Sequence, residues 1–154
     1  MLRWCDAMNN NIELKIESKQ YNVSIARVTI ASFLSKMNIT VDELSDIKTA
    51  VSEAVTNSID HGYPGRDNGE IIIRAQIASI DDMSYVSIEV EDFGEGIADV
   101  ELATQTAYTS KPELEHAGMG FTIMETFMDE IVIDSEVNKG TKITMSKRLM
   151  SLRE

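Results

Sequence analysis

Between Thr40 and Gly62 the chain has room for one kind of element. Thr40-Val41-Asp42-Glu43 is a capping box: the Thr40 hydroxyl can accept from the amide three residues on, and Glu43 can reach back to the Thr40 amide. Leu44, Ile47, Val51, Ala54, Val55 and Ile59 then recur at spacings of three and four, which makes one apolar stripe on a helix. At His61-Gly62-Tyr63-Pro64-Gly65 glycine can close that helix and proline prevents its continuation. On a neighbouring face Glu53 and Asn57 stand one turn apart, with Cβ atoms roughly 5–6 Å from each other. A carboxylate and an amide are thereby aimed at one point.

The rest of the chain supplies a sheet for this stripe to cover. Ile12-Glu13-Leu14-Lys15-Ile16-Glu17 alternates strictly and predicts a half-buried strand. Ser18 or Asn22 can cap a following helix with the stripe Ile25, Val28, Ile30, Phe33, Leu34 and Met37. Gly69 to Ser79 and Met83 to Glu91 read as a hairpin turning at Ile80-Asp81-Asp82, with Val86, Ile88 and Val90 inward. Asp92-Phe93-Gly94-Glu95-Gly96-Ile97 follows, then a short acidic helical piece from Ala98 to Ala103. The polar segment Thr104 to Ala117, containing Lys111-Pro112, reads as a mobile lid. Gly118-Met119-Gly120 opens a helix carrying Phe121, Ile123, Met124, Phe127 and Met128. Ile131-Val132-Ile133 and Lys142-Ile143-Thr144-Met145, separated by Asn138-Lys139-Gly140, predict a second hairpin.

Several function classes are excluded by composition. A length of 154 residues, with 43% hydrophobic and 26% charged, fits one soluble domain. No run approaches the 18 or so apolar residues of a membrane span, and the start lacks the apolar stretch of a secretory signal, so a cytoplasmic protein is expected. The single Cys5 cannot close an internal disulfide, and with only His61 and His116 beside it no zinc cluster is credible. A net charge of −12 argues against direct nucleic-acid binding. The same charge means that an anionic ligand needs a divalent cation at its site, and it favours a basic protein partner.

Three features fall in a fixed order: Glu53xxxAsn57 on a helix, Asp92-x-Gly94-x-Gly96 after a strand, and Gly118-x-Gly120 opening a helix after the lid. Each has a use at a nucleotide. An aspartate at a strand end can accept the exocyclic amine of adenine, and glycines beyond it let backbone approach a purine. Amides at a helix N-terminus bind phosphate. Asn57 offers a neutral oxygen to Mg²⁺. Glu53 can take a proton from an attacking hydroxyl or water. The glycine pairs are not dinucleotide fingerprints, because Asp99 and Ile123 occupy the final glycine positions, and no phosphate-binding GxxxxGK[ST] loop occurs.

Glu53-Ala-Val-Thr-Asn57, Asp92-Phe-Gly94-Glu-Gly96 and Gly118-Met119-Gly120-Phe121 resemble the N, G1 and G2 boxes of the GHKL ATP-binding superfamily. Val51 to Asn57, Lys111 to Glu115, Gly118 to Glu125 and Ser135 to Thr141 are similar, more narrowly, to the sporulation anti-sigma factors, serine kinases of endospore-forming bacteria. The resemblance runs from about residue 8 to 148, so residues 1–7 and 149–154 are expected to be tails. It implies a two-layer α/β (α+β) sandwich, with one mixed, mainly antiparallel sheet covered on one face by helices. It implies ATP and Mg²⁺ as cofactors, a homodimer, and two partners: a sigma F-like sporulation sigma factor held inactive, and an anti-anti-sigma factor phosphorylated on serine.

Position by position, the resemblance makes Glu53 the base, Asn57 the Mg²⁺ ligand and Asp92 the adenine reader. Gly94, Gly96, Gly118, Met119 and Gly120 shape the pocket, Thr141 supports Asp92, Lys111 lies in the lid within reach of phosphate, and Arg27 faces the protein partners. His116 and Ala117 stand where relatives usually carry Arg and Ser. The alternative from a different class is a non-catalytic, ATP-gated sequestering module. A detached histidine-kinase ATPase part would need a helix with a phosphoacceptor histidine, which this chain lacks.

Overall fold

A computed structural model of the chain describes residues 9–81, 83–105 and 119–149. Among the described residues five strands form one sheet: β1 (Asn10–Glu17), β2 (Glu70–Ile80), β3 (Met83–Asp92), β4 (Glu130–Glu136) and β5 (Gly140–Leu149), in the order β1-β2-β3-β5-β4. All four pairings are antiparallel, which sharpens the expected mixed sheet to an antiparallel one. Helices α1 (Asn22–Leu34), α2 (Val41–Asn57) and α4 (Met119–Phe127), with the single turn α3 (Val100–Ala103), complete the two layers. No helix among the described residues is long and apolar enough to cross a membrane.

Strand alternation decides which residues meet the helices. Ile71, Ile73, Ala75 and Ile77 of β2, Val86, Ile88 and Val90 of β3, and Ile143 and Met145 of β5 all point into one core. The opposite face of the sheet is polar. There Arg74 is bonded to Glu91, Glu89 and Glu13 across three adjacent strands, and these three carboxylates push its pKa above the ordinary arginine value. Leu149 lies past the expected boundary at 148, yet it is buried at the end of β5 opposite Ser84.

Helix α2 forms as its sequence dictates. Both halves of the capping box are present, with Glu43 N donating to Thr40 Oγ1 at 3.0 Å and Thr40 N to Glu43 Oε1 at 3.1 Å. Ile47, Ala50, Val51, Ala54 and Val55 are fully buried along its stripe. The helix does not end at Asn57 but widens into one π-helical turn, Ser58–Gly62, closed by Tyr63 N donating to Ser58 O at 3.2 Å.

Helix α1 corrects the expected packing face. It begins at Asn22 with no side-chain cap, and its buried residues are Ala26, Ile30 and Leu34, whereas Ile25 and Val28 are 47% and 63% exposed. Ser18 instead ties the β1–α1 connection to the loop before β2, donating to Arg66 O at 2.8 Å and accepting from Gly69 N at 2.9 Å.

The capping box is separable from the core that α2 covers. Replacing Thr40 by Ala should lower the unfolding free energy by about 1 kcal/mol, read from urea denaturation as a shifted midpoint with an unchanged slope. A midpoint that does not move would show that the box contributes nothing to α2.

Candidate functional site

The polar face of α2 looks onto the start of α4. Glu53 and Asn57 are both partly exposed, one turn apart. A Cβ built on Gly120 would stand 3.5 Å from Glu53 Oε2, so the carboxylate lies directly against the first turn of α4. Helices α2 and α4 are in contact, and Val51 and Ala54 of the one and Phe121 and Met124 of the other belong to the same buried core. Met119 is the first residue of α4. Lys111 and Gly118, together with most of the expected lid and its His116 and Ala117, lie outside the described residues.

Asp92 occupies the other end of the site. It is the last residue of β3 and only 4% exposed. Its Oδ1 accepts the Gly94 amide at 3.0 Å, and the Ser58 hydroxyl and the Thr141 amide also donate to the carboxylate. Burial pushes the Asp92 pKa up more strongly than these three donors pull it down. Thr141 sits opposite Asp92 in the β3–β5 ladder, and its hydroxyl is 2.8 Å from Ser135 Oγ, which accepts the Ile97 amide at 2.7 Å.

Two glycines of the loop after Asp92 have steric reasons to be glycine. A Cβ on Gly94 would fall 2.0 Å from Gly62 O, and Gly96 has φ +73° with its backbone against Glu136 O. The loop is anchored on both sides, by Glu95 N donating to Gly62 O at 2.9 Å and Asn138 N donating to Glu95 O at 2.7 Å. Arg27, expected to face partners, is partly buried on α1 with Nη1 3.4 Å from Ser52 Oγ, the neighbour of Glu53.

Among the described residues, then, Glu53 and Gly120 meet, Asn57 follows one turn on, and Asp92, Gly94 and Thr141 form a second cluster joined to α2 through Ser58. Reading the sequence missed Ser58, Gly62, Tyr63 and Ser135. Ser58 carried a usable signal: it falls on the buried stripe, three and four residues after Val55 and Ala54, where a hydroxyl requires a partner.

A buried carboxylate at a sheet end and a carboxylate–amide pair against a glycine-opened helix suit an adenine at one end and phosphates at the other. These features define a nucleotide-binding α/β domain. The chain belongs to the family described as histidine kinase-like ATPase domain, which it matches over residues 16–147, and membership implies ATP binding. It is 52% identical over 144 residues to the anti-sigma F factor of Clostridium kluyveri, covering 94% of this chain and 98% of that one. It is 49% identical over 142 residues to the anti-sigma F factor of Geobacillus thermodenitrificans, covering 92% and 94%. Its fold is similar to a crystal structure of RsbU and RsbW domains from Mycobacterium tuberculosis, with a TM-score of 0.62 at 20% identity, over 91% of this chain and 32% of that longer one.

The pKa displacement of Asp92 has a definite sign. A carboxyl whose folded pKa is raised is favoured by folding in its protonated form. That contribution is fully present below the ordinary aspartate value of about 4 and is lost as pH rises through the raised folded value. Relative to an Asp92→Asn variant, which cannot ionise, the protein should therefore lose unfolding free energy as pH rises from below the ordinary aspartate value through the raised folded one. Paired denaturation curves check this, and a difference independent of pH would contradict the direction assigned to Asp92.

Proposed function

We propose that this chain is an anti-sigma factor that binds and inhibits a sigma F-like sporulation sigma factor and, as a Mg²⁺·ATP-dependent protein serine kinase, phosphorylates and inactivates an anti-anti-sigma factor. The observation that carries the reading is the approach of Glu53 to Gly120. It sets a base candidate at the mouth of the helix whose N-terminus would receive the terminal phosphates. The names of relatives about 50% identical over nearly their full length support the sigma-factor partner.

The donor set fits Mg²⁺. Among the described residues no three His, Cys, Asp or Glu side chains converge to cage an ion, and Asn57 supplies one neutral oxygen. That suits an octahedral ion that takes its remaining ligands from phosphates and water. When bound, the ion would offset phosphate charge in a chain of net charge −12.

In the proposed transfer, Asp92 accepts the adenine amine and fixes the nucleotide at its base. Gly94 and Gly96 keep side chains out of the purine's path. Glu53 takes the proton from the partner's serine hydroxyl as that oxygen bonds the γ-phosphorus, and the bond from γ-phosphorus to the β,γ-bridging oxygen breaks to release ADP. Thr141 holds Asp92 from the neighbouring strand. Arg27, on the α1 face beside Ser52, contributes to the partner surface, and Lys111 belongs to the lid over the phosphates. The protein acts as a homodimer in the cytoplasm.

Replacing Glu53 by Gln should leave ATP affinity within about threefold while transfer to the partner's serine falls by at least about 100-fold. Replacing Asn57 by Ala should abolish Mg²⁺-dependent ATP binding and transfer together. Titration calorimetry and a radiolabelled-ATP transfer assay separate the two. Transfer that survives Glu53→Gln would sink the base assignment. Sigma-factor capture by a wild-type protein that phosphorylates no partner would instead identify an ATP-gated sequestering module.

A further inference from the structure

Gly62, the last residue of the π turn, and Tyr63, the residue after it, both bond the loop that follows Asp92. Tyr63 is 4% exposed, and its ring lies so close to Gly69 that a Cβ there would fall 2.4 Å from ring Cγ. The Arg66 guanidinium covers the ring with its carbon 5.2 Å from the centroid. The ring is thus clamped, and the hydroxyl has a defined position. It donates to Glu70 O at 2.6 Å, at the start of β2, and accepts the Phe93 amide at 2.7 Å, the first amide beyond Asp92. Burial pushes the Tyr63 hydroxyl pKa up, which keeps it a protonated donor at neutral pH.

Gly62 completes the hold. Its carbonyl accepts the Glu95 amide at 2.9 Å, and a Cβ on it would stand 2.9 Å from Asp92 Cγ and Oδ1. The β3–β5 ladder ends at the pair Asp92 and Thr141. The backbone between Asp92 and Glu95 therefore takes its direction from Tyr63 on one side and Gly62 on the other.

We propose that Tyr63 is a positioning residue for base recognition: its hydroxyl, tying Phe93 N to Glu70 O while Gly62 abuts the carboxylate, aims Asp92 at the six-position of the purine. The inference rests on the reading of Asp92 as the adenine acceptor. An aimed carboxylate favours a six-amino purine, which donates to it, and disfavours a six-oxo purine, which presents a second acceptor. Selectivity between these bases is therefore the quantity Tyr63 controls, and general nucleotide affinity is not.

The test uses the full chain and titrates ADP and IDP, which differ at that position and lack a transferable γ-phosphate, in the presence of Mg²⁺. Tyr63→Phe keeps the ring and removes the hydroxyl. It should weaken ADP by about fivefold and IDP by less than about twofold, the effect of one lost hydrogen bond. Gly62→Ala, which crowds the carboxylate and keeps the Tyr63 hydroxyl in the chain, should narrow the ADP preference in the same direction. Asp92→Asn, whose amide can donate to a six-oxo group, should remove or invert the preference. If Asp92→Asn leaves the preference intact, the adenine reading falls and the inference falls with it. If Asp92→Asn removes it but Tyr63→Phe and Gly62→Ala weaken both nucleotides equally, or neither, the adenine reading stands and the role given to Tyr63 is wrong. Loss of the folded state in both variants, seen by circular dichroism, would also overturn the inference, because the segment would then hold the fold and not the aim.

Discussion

Asp92 is a carboxylate removed from water, and three donors from three separate segments converge on it: the Gly94 amide from the loop it begins, the Ser58 hydroxyl from the π turn, and the Thr141 amide from β5. Burial still opposes its charge more than these donors favour it, so the fold is arranged around a group whose ionisation costs free energy. The surrounding apolar core offsets that cost. Val90 and Ile143, flanking the site on β3 and β5, are 1% exposed, and each such side chain contributes about 1.5–3 kcal/mol on burial. A destabilised polar group held in place by a well-packed scaffold is a common arrangement at functional sites.

The widening of the helix after Asn57 connects the two halves of the site. An α-helix continued through residues 58–62 would turn by 3.6 residues per repeat, whereas the observed π turn closes from Tyr63 N back to Ser58 O, five residues earlier. Within that one turn Ser58 reaches Asp92, Ile59 stays on the core side, and Gly62 arrives at the backbone of Gly94. One continuous stretch of backbone thus runs from Glu53, facing α4, to Tyr63, bonded to Phe93. Displacing the end of α2 would move Glu53 and Asn57 together with Ser58, Gly62 and Tyr63, which under the proposed function suits recognition of one molecule that spans both clusters.

What the sequence made legible was local. The capping box, the α2 stripe and the two hairpins are encoded by neighbours within a few residues, and each appears where the pattern places it. Helix α1 was misread because it is apolar nearly all round. Ile25 and Val28 compete with Ala26 and Ile30 for the inward face, and only the position of α2 and the sheet settles which set is buried. Glu53, Asn57, Asp92 and Gly94 stood out because their residue types suit nucleotide chemistry at telling positions. Tyr63 did not, because its role lies in a bond to an amide thirty residues away, and beside Pro64 it reads as the end of a helix.

The charge distribution then gives Asn57 its significance. Arg74, bonded to Glu91, Glu89 and Glu13 on the polar face of the sheet, and Arg27, beside Ser52, are both engaged by side chains of the protein itself. Under the proposed function, countercharge for a nucleotide comes from the α4 N-terminus, a divalent ion and Lys111. A carboxylate at position 57 would bind that ion more strongly in isolation. It would also stand at i,i+4 from Glu53, where like charges repel, and add to a net charge of −12. Under that reading an amide supplies the oxygen without that repulsion and leaves Glu53 available as the proposed base.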